Sequence, residues 1–196
     1  MVKISILYDV IRWEEKALYN AGKKLDVEVE LVDVKEELFD ISKPLTSKYG
    51  DIILQRAVSY YRNLHTTAFF EFKGKRVINS LYTANVTGNK MFTTLLLQKN
   101  NIPTPKTVVA LTSDMAMKAF KEEFNGKAVL KPVSGSWGRL IALLNDEPSA
   151  LAVFEDRDYM YPMYQIYYLQ EYVKRPPRDL RLFVVGEEVI AGIYRY

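Results

Sequence analysis

The chain has no cysteine and a single histidine among its 196 residues. The first absence excludes disulfides, thiolate metal sites, iron–sulfur clusters and cysteine nucleophiles. The second removes His-rich metal sites and most imidazole acid–base schemes. No uninterrupted apolar run approaches the roughly 18–20 residues of a membrane-spanning helix, and the opening MVKISILYDVIRWEE turns acidic too early for a signal peptide. Excess charge is also scarce: 27 Lys and Arg against 24 Asp and Glu leave a scattered +3. Neither nucleic acid nor a membrane is therefore the expected partner, and a cytoplasmic setting is expected. What remains for chemistry is lysine, arginine, carboxylates and backbone. The 48% hydrophobic content is ample for packed cores under one or two domains.

Residues 2–8, VKISILY, read as a buried strand, and Ile11, Leu18, Ala21 and Leu25 follow near helical spacing. Residues 27–34, 51–58 and 75–80 read as three more strands, with a helical stretch over 63–72 before the last. Strands separated by helices or long crossovers predict a parallel sheet with helices on its faces. A helix is predicted over 88–100, with Met91, Phe92, Leu95 and Leu96 on one side, and NNIPTP ends it because proline cannot continue a helix.

Beyond residue 102 the rhythm changes. A strand at 106–111 leads to a helix capped by Thr112 or Ser113, with Met117, Phe120 and Phe124 on one face. Strands at 126–132 and 139–144 precede a helix opened by Asp146, with Pro148 tolerated in its first turn. Strands at 167–173, 178–186 and 187–196 follow, the last two joined by a tight Gly-Glu-Glu turn. This half reads as an α+β layer with a strand-rich end. The aromatic run 159–168, YMYPMYQIYY, suits a half-buried strand edge. Because the sequence stops at Tyr196, only a few residues into a strand, a fragment of a longer protein is expected.

The chemistry centres on Lys131-Pro132-Val133-Ser134-Gly135-Ser136-Trp137-Gly138-Arg139, which lies between two strands. Small residues let backbone N–H groups approach an anion, Lys131 offers a point charge and Arg139 a second one. The spacing is neither a Walker A motif nor a G-x-G-x-x-G turn, and it equally suits a plain connection between strands. Lys90 opens a helix, where a cation opposes the helix dipole unless it answers an external anion; a solvated lysine is the simpler reading. Gln170, Glu171, Tyr172 and Val173 end a strand whose extended backbone suits a purine edge, although Glu171 is also an ordinary surface carboxylate. Asp179, among Arg178 and Arg181, either accepts from a ribose hydroxyl or pairs with an arginine. Arg195 either clamps a substrate carboxylate or covers the sheet with its stem.

Taken together, GNK at 88–90, VLKPVSGSWGRL at 129–140, QEYV at 170–173, RDLRLFVVG at 178–186 and IAGIYRY at 190–196 resemble the ATP-grasp superfamily, in particular its RimK-like ligases. ILYDVIRWEEKAL at the start and QRAVSYYR at 55–62 extend the likeness over nearly the whole chain, toward the branch that joins α-aminoadipate to the small acidic carrier protein LysW. A glutamate–LysW ligase, a ligase adding glutamate to a ribosomal protein and a noncatalytic nucleotide-binding module are the competing readings.

The resemblance implies an N-terminal parallel β-α (pre-ATP-grasp) domain over 1–87, a central ATP-grasp lobe over 88–168 and the start of a C-terminal lobe over 169–196. It implies that Lys90 and Lys131 contact ATP phosphates while Gly135, Ser136, Trp137, Gly138 and Arg139 close over them. Gln170, Glu171, Tyr172 and Val173 would hold adenine and ribose, and Asp179 would lie on the nucleotide side. Lys131 and Arg195 would serve catalysis, with Arg195 meeting the amino acid. It further implies Mg2+ held by residues beyond Tyr196, so that the 196-residue chain alone is expected to be inactive. A homo-oligomer is expected on general grounds.

Overall fold

Four short strands rich in β-branched and apolar residues run parallel in the order β2-β1-β3-β4: β1 (Lys3–Tyr8), β2 (Glu28–Asp33), β3 (Ile52–Gln55) and β4 (Arg76–Ile78). They come from a computed structural model that describes residues 2–196. Helix α1 (Trp13–Lys24) links β1 to β2 and α2 (Tyr60–Phe72) links β3 to β4, the crossovers that parallel pairing requires. The dipole of α1 is matched by Glu14 and Glu15 in its first turn and Lys23 and Lys24 in its last.

Leu7, Val32, Ile53, Phe70 and Val77 form the core of this sheet. Phe70 is fully buried, worth about 2–3 kcal/mol for a side chain of that size, and Phe39 and Tyr49 from the long β2–β3 connection meet its ring edge-on. Helices α3 (Leu81–Gly88) and α4 (Lys90–Lys99) follow β4. Sequence periodicity predicts the second and misses the first. Ser80 caps α3 by accepting from Thr83 N, but α3 buries none of its side chains, so no apolar stripe marks it.

The chain up to Thr104, together with Val133–Arg139, forms one unit, and Pro105–Pro132 with Leu140–Tyr196 forms the other. The second unit holds an antiparallel sheet in the order β5-β8-β6-β7, from β5 (Thr107–Ala110), β6 (Ala128–Lys131), β7 (Ala142–Leu144) and β8 (Tyr167–Glu171). Helices α5 (Ser113–Glu122) and α6 (Glu147–Asp158) supply Ala116, Phe120, Ala150 and Phe154 to a core shared with Leu130, Leu144, Tyr167 and Leu169. Strand side chains alternate, so the opposite face of the sheet receives Thr107, Lys131, Tyr168 and Gln170.

Two expectations change here. β8 lies between β5 and β6, so it is an interior strand, and Tyr167 to Gln170 are all buried. The preceding aromatics do not form its edge: Tyr159 and Tyr161 are exposed and Pro162–Tyr164 make one 3-10 turn. β7 is also shorter than the predicted 139–144, because Leu140 takes a left-handed φ of 59° that breaks an extended run. Finally β9 (Asp179–Val185) and β10 (Glu188–Arg195) pair as a hairpin through a two-residue turn at Gly186, φ 63°, and Glu187. Among the described residues no helix is long and apolar enough to cross a membrane.

Candidate functional site

In the first unit, Lys90 starts α4 behind its N-cap Asn89, whose side chain accepts from Met91 N and Phe92 N. Its backbone N–H donates to Val133 O at 2.7 Å and its Nζ to Gly135 O at 2.9 Å. The lysine is therefore tied at both ends to the glycine-bearing loop. That loop holds Gly135 at φ 137° and Gly138 at φ 69°, backbone states that cost a side-chain-bearing residue energy. Trp137 also takes a left-handed φ of 64° and is 85% exposed, so nothing packed compels that conformation. Ser136 O accepts from Arg139 N at 3.4 Å, closing the turn, and Ser136, Gly138 and Arg139 stay exposed.

A cleft of about 550 Å³ opens in this unit, lined by the loop residues Ser134, Gly135 and Ser136, by Lys90, and by Ala57, Val58, Tyr60 and Asn63 after β3. Gly88 belongs to the same wall. A Cβ there would sit 2.0 Å from the Tyr60 ring, so only glycine lets α3 approach so closely.

Beside it, at the C-terminal ends of β1 and β3, lies a charge cluster that sequence reading passes over. Glu15 is fully buried and accepts Arg12 Nη2 at 2.7 Å, Arg12 N at 2.9 Å, and Arg12 Nε and Arg56 Nε at 3.1 Å. Burial alone would raise its pKa, but these donors outweigh it and hold the carboxyl down at about 2. Asp9, 3% exposed, accepts Val58 N at 2.7 Å, Ser59 N at 3.1 Å and Arg62 Nη1 at 3.3 Å. Its pKa is likewise lowered, the same donors prevailing over desolvation. The clue lies in DVIRWEE and QRAV: charges set just past strands that end at a sheet's carboxyl edge.

In the second unit, Lys131 ends β6 and its Nζ donates to Gln170 Oε1 at 2.5 Å. Gln170 is fixed in turn, its Nε2 donating to Thr107 Oγ1 at 3.0 Å and to Tyr168 Oη at 3.1 Å. Burial, and after it the positive Arg175, push the Lys131 ammonium below its usual pKa. This half-buried lysine faces a neutral amide rather than a carboxylate.

The β8 ladder runs through Glu171, whose N–H is taken by Lys106 O at 2.9 Å, so Tyr172 and Val173 are the first positions past the sheet pairing. Both are exposed, with Lys127 Nζ 4.5 Å from the Tyr172 ring centre. Asp179 and Arg195 meet each other: they are cross-strand partners in the hairpin, joined at 3.1 Å through Nε and 2.9 Å through Nη2. Arg157, to which sequence analysis gives no role, is only 4% exposed and donates to Leu140 O at 2.5 Å, fixing the residue directly after the glycine loop. Among the described residues no group of three or more His, Asp or Glu side chains converges to hold a metal.

A parallel β-α unit followed by an antiparallel sheet with a lysine and a glycine-rich connection defines an ATP-grasp type of protein. The chain belongs to the RimK-like ATP-grasp family: that family's domain matches residues 87–196, and residues 4–86 match the LysX preATP-grasp domain. It is 38% identical over 185 residues to the alpha-aminoadipate–LysW ligase LysX of Saccharolobus solfataricus, covering 94% of this chain and 67% of that protein. It is 32% identical over 194 residues to the glutamate–LysW ligase ArgX of Sulfolobus acidocaldarius, covering 98% and 67%. A RimK domain ATP-grasp protein of Sphaerobacter thermophilus shares the fold with a TM-score of 0.78 at 24% identity, over 97% of this chain and 71% of the other.

Proposed function

We propose that this protein is an ATP-dependent carboxylate–amine ligase that joins α-aminoadipate, through its amine, to the C-terminal glutamate of the carrier protein LysW, as a cytoplasmic step of lysine biosynthesis. The observation that carries the substrate choice is the identity of 38% to an α-aminoadipate–LysW ligase, against 32% to a glutamate–LysW ligase over a similar span. In the reaction, the carrier's carboxylate oxygen takes the γ-phosphoryl group of ATP and ADP leaves. The deprotonated amine then attacks the acyl carbon, an amide forms and phosphate departs.

Lys90 and Lys131 are assigned to the ATP phosphates, whose charge answers a lysine at a helix N-terminus and a lysine whose pKa burial has lowered. The loop from Ser134 to Arg139, exposed and glycine-hinged, is assigned to cover them and keep water from the acylphosphate. Gln170 orients Lys131; Glu171, Tyr172 and Val173 take adenine and ribose just past the β8 ladder. Arg195 faces the amino acid, oriented by Asp179. Magnesium, when bound with the nucleotide, neutralises phosphate charge, and no residue of this chain is given to it.

The test is ligation followed by mass spectrometry of LysW in the presence of ATP and either amino acid. α-Aminoadipate should be added in preference to glutamate by roughly 10- to 200-fold, the range that one methylene supports. A preference for glutamate would replace the substrate assignment, and no ATP binding and no adduct from either acid would end the ligase reading.

A further inference from the structure

Arg56 and Arg62 are held by buried carboxylates that are already satisfied without them. Asp9 has two backbone donors, Val58 N and Ser59 N, before Arg62 reaches it. Glu15 has three donors from Arg12 before Arg56 Nε is added. Each carboxylate thus has hydrogen-bond donors besides these arginines, while in charge Arg12, Arg56 and Arg62 balance Asp9, Glu14 and Glu15. Among the described residues, Nη1 and Nη2 of Arg56 and Nε and Nη2 of Arg62 donate to no protein acceptor. A guanidinium pinned along one edge loses little freedom when its other edge takes a ligand, and its planar fork matches a carboxylate.

Their placement narrows the ligand. Arg56 directly follows β3, Arg62 lies in the first turn of α2, and Asp9 directly follows β1. The order β2-β1-β3-β4 reverses between β1 and β3, the point where open parallel sheets leave a crevice at their carboxyl edge. The segment after Arg56, Ala57 and Val58, forms one wall of the cleft whose other wall carries Lys90 and Ser136. The two arginines do not line the cleft but adjoin this wall, Arg56 preceding Ala57 and Arg62 lying between Tyr60 and Asn63, so a substrate reaching past the wall would present its far carboxylate to them.

We propose that Arg56 and Arg62 form the subsite for the side-chain carboxylate of a dicarboxylic amino acid. The assignment rests on the ligase reading and adds to it the residues that select the acid. The free amino acid and an acidic segment of the carrier chain share the carboxylate chemistry, so the experiment separates them.

Calorimetry with a non-hydrolysable ATP analogue present would measure binding of α-aminoadipate, of norleucine, which lacks the second carboxylate, and of LysW, to the wild type and to Arg56→Gln and Arg62→Gln. Each substitution should weaken α-aminoadipate by roughly tenfold, the loss of one charge-assisted hydrogen-bonded pair, while norleucine and ATP-analogue affinities stay unchanged. Should Arg56→Gln fail to fold, Arg62→Gln decides, because Asp9 keeps both of its backbone donors. Unchanged α-aminoadipate affinity in the folded variants would overturn the subsite, as would weakened LysW binding with α-aminoadipate unaffected. A wild-type protein that binds neither the ATP analogue nor α-aminoadipate would instead remove the ligase reading, and the subsite with it.

Discussion

Replacing Glu15 with glutamine keeps the shape of a fully buried side chain and removes its charge, leaving Arg12 and Arg56 facing a neutral amide. The magnitude follows from the folded-state pKa of about 2 against the ordinary 4.5. At 1.36 kcal/mol per pKa unit, that difference corresponds to about 3 kcal/mol contributed by the ionised carboxyl near neutral pH. A depressed carboxylate pKa gives stability that is fully present above the unfolded-state value and is lost as pH falls through the folded-state one. The gap between wild type and Glu15→Gln should therefore be flat above about pH 5 and shrink steadily toward about pH 2. Urea unfolding of both proteins across that range, monitored by tryptophan fluorescence, measures the gap directly. The reasoning fails if the gap at neutral pH is under about 1 kcal/mol, the scale of an exposed ion pair, or if it stays constant on acidification.

Other expected outcomes concern packing around the loop and cleft. Gly88→Ala puts a Cβ against the Tyr60 ring at 2.0 Å and should cost about 1–3 kcal/mol by overpacking; adding Tyr60→Leu should restore part of the lost Tm, and no restoration would refute the contact. Arg157→Met removes the donor to Leu140 O while filling the same buried space, so amide exchange in 134–140 should quicken more than in α6; equal change in both would show that Arg157 only packs.

Much of this was legible in the sequence where burial and period coincide. β1, β2 and β3 carry dense β-branched runs, and their observed ends lie within a few residues of the expected ones. Phe120, one of the face predicted for α5, is fully buried in the second core. Where burial is absent, the signal is too. α3 presents no buried side chain, and its capping Ser80 falls at the end of the strand predicted over 75–80. Three of the site features depend on partners far along the chain: Arg56 finds Glu15 across 41 residues, Lys131 finds Gln170 across 39, and Arg195 finds Asp179 across 16. Only the last follows from local rules, because a turn at Gly186 and Glu187 sets the hairpin register. Arg157 shows the opposite case: nothing in its local sequence marks it, and the fold buries this charge against a carbonyl.

The most direct measurement of the central claim is equilibrium ATP affinity, by calorimetry, for wild type, Lys90→Ala and Lys131→Ala, with folding checked by thermal melts. Removing either ammonium should weaken ATP by roughly tenfold or more, as expected for loss of a charge-assisted phosphate contact, with melting temperature little changed. Wild-type affinity in both folded variants would contradict the assignment of these lysines to the triphosphate.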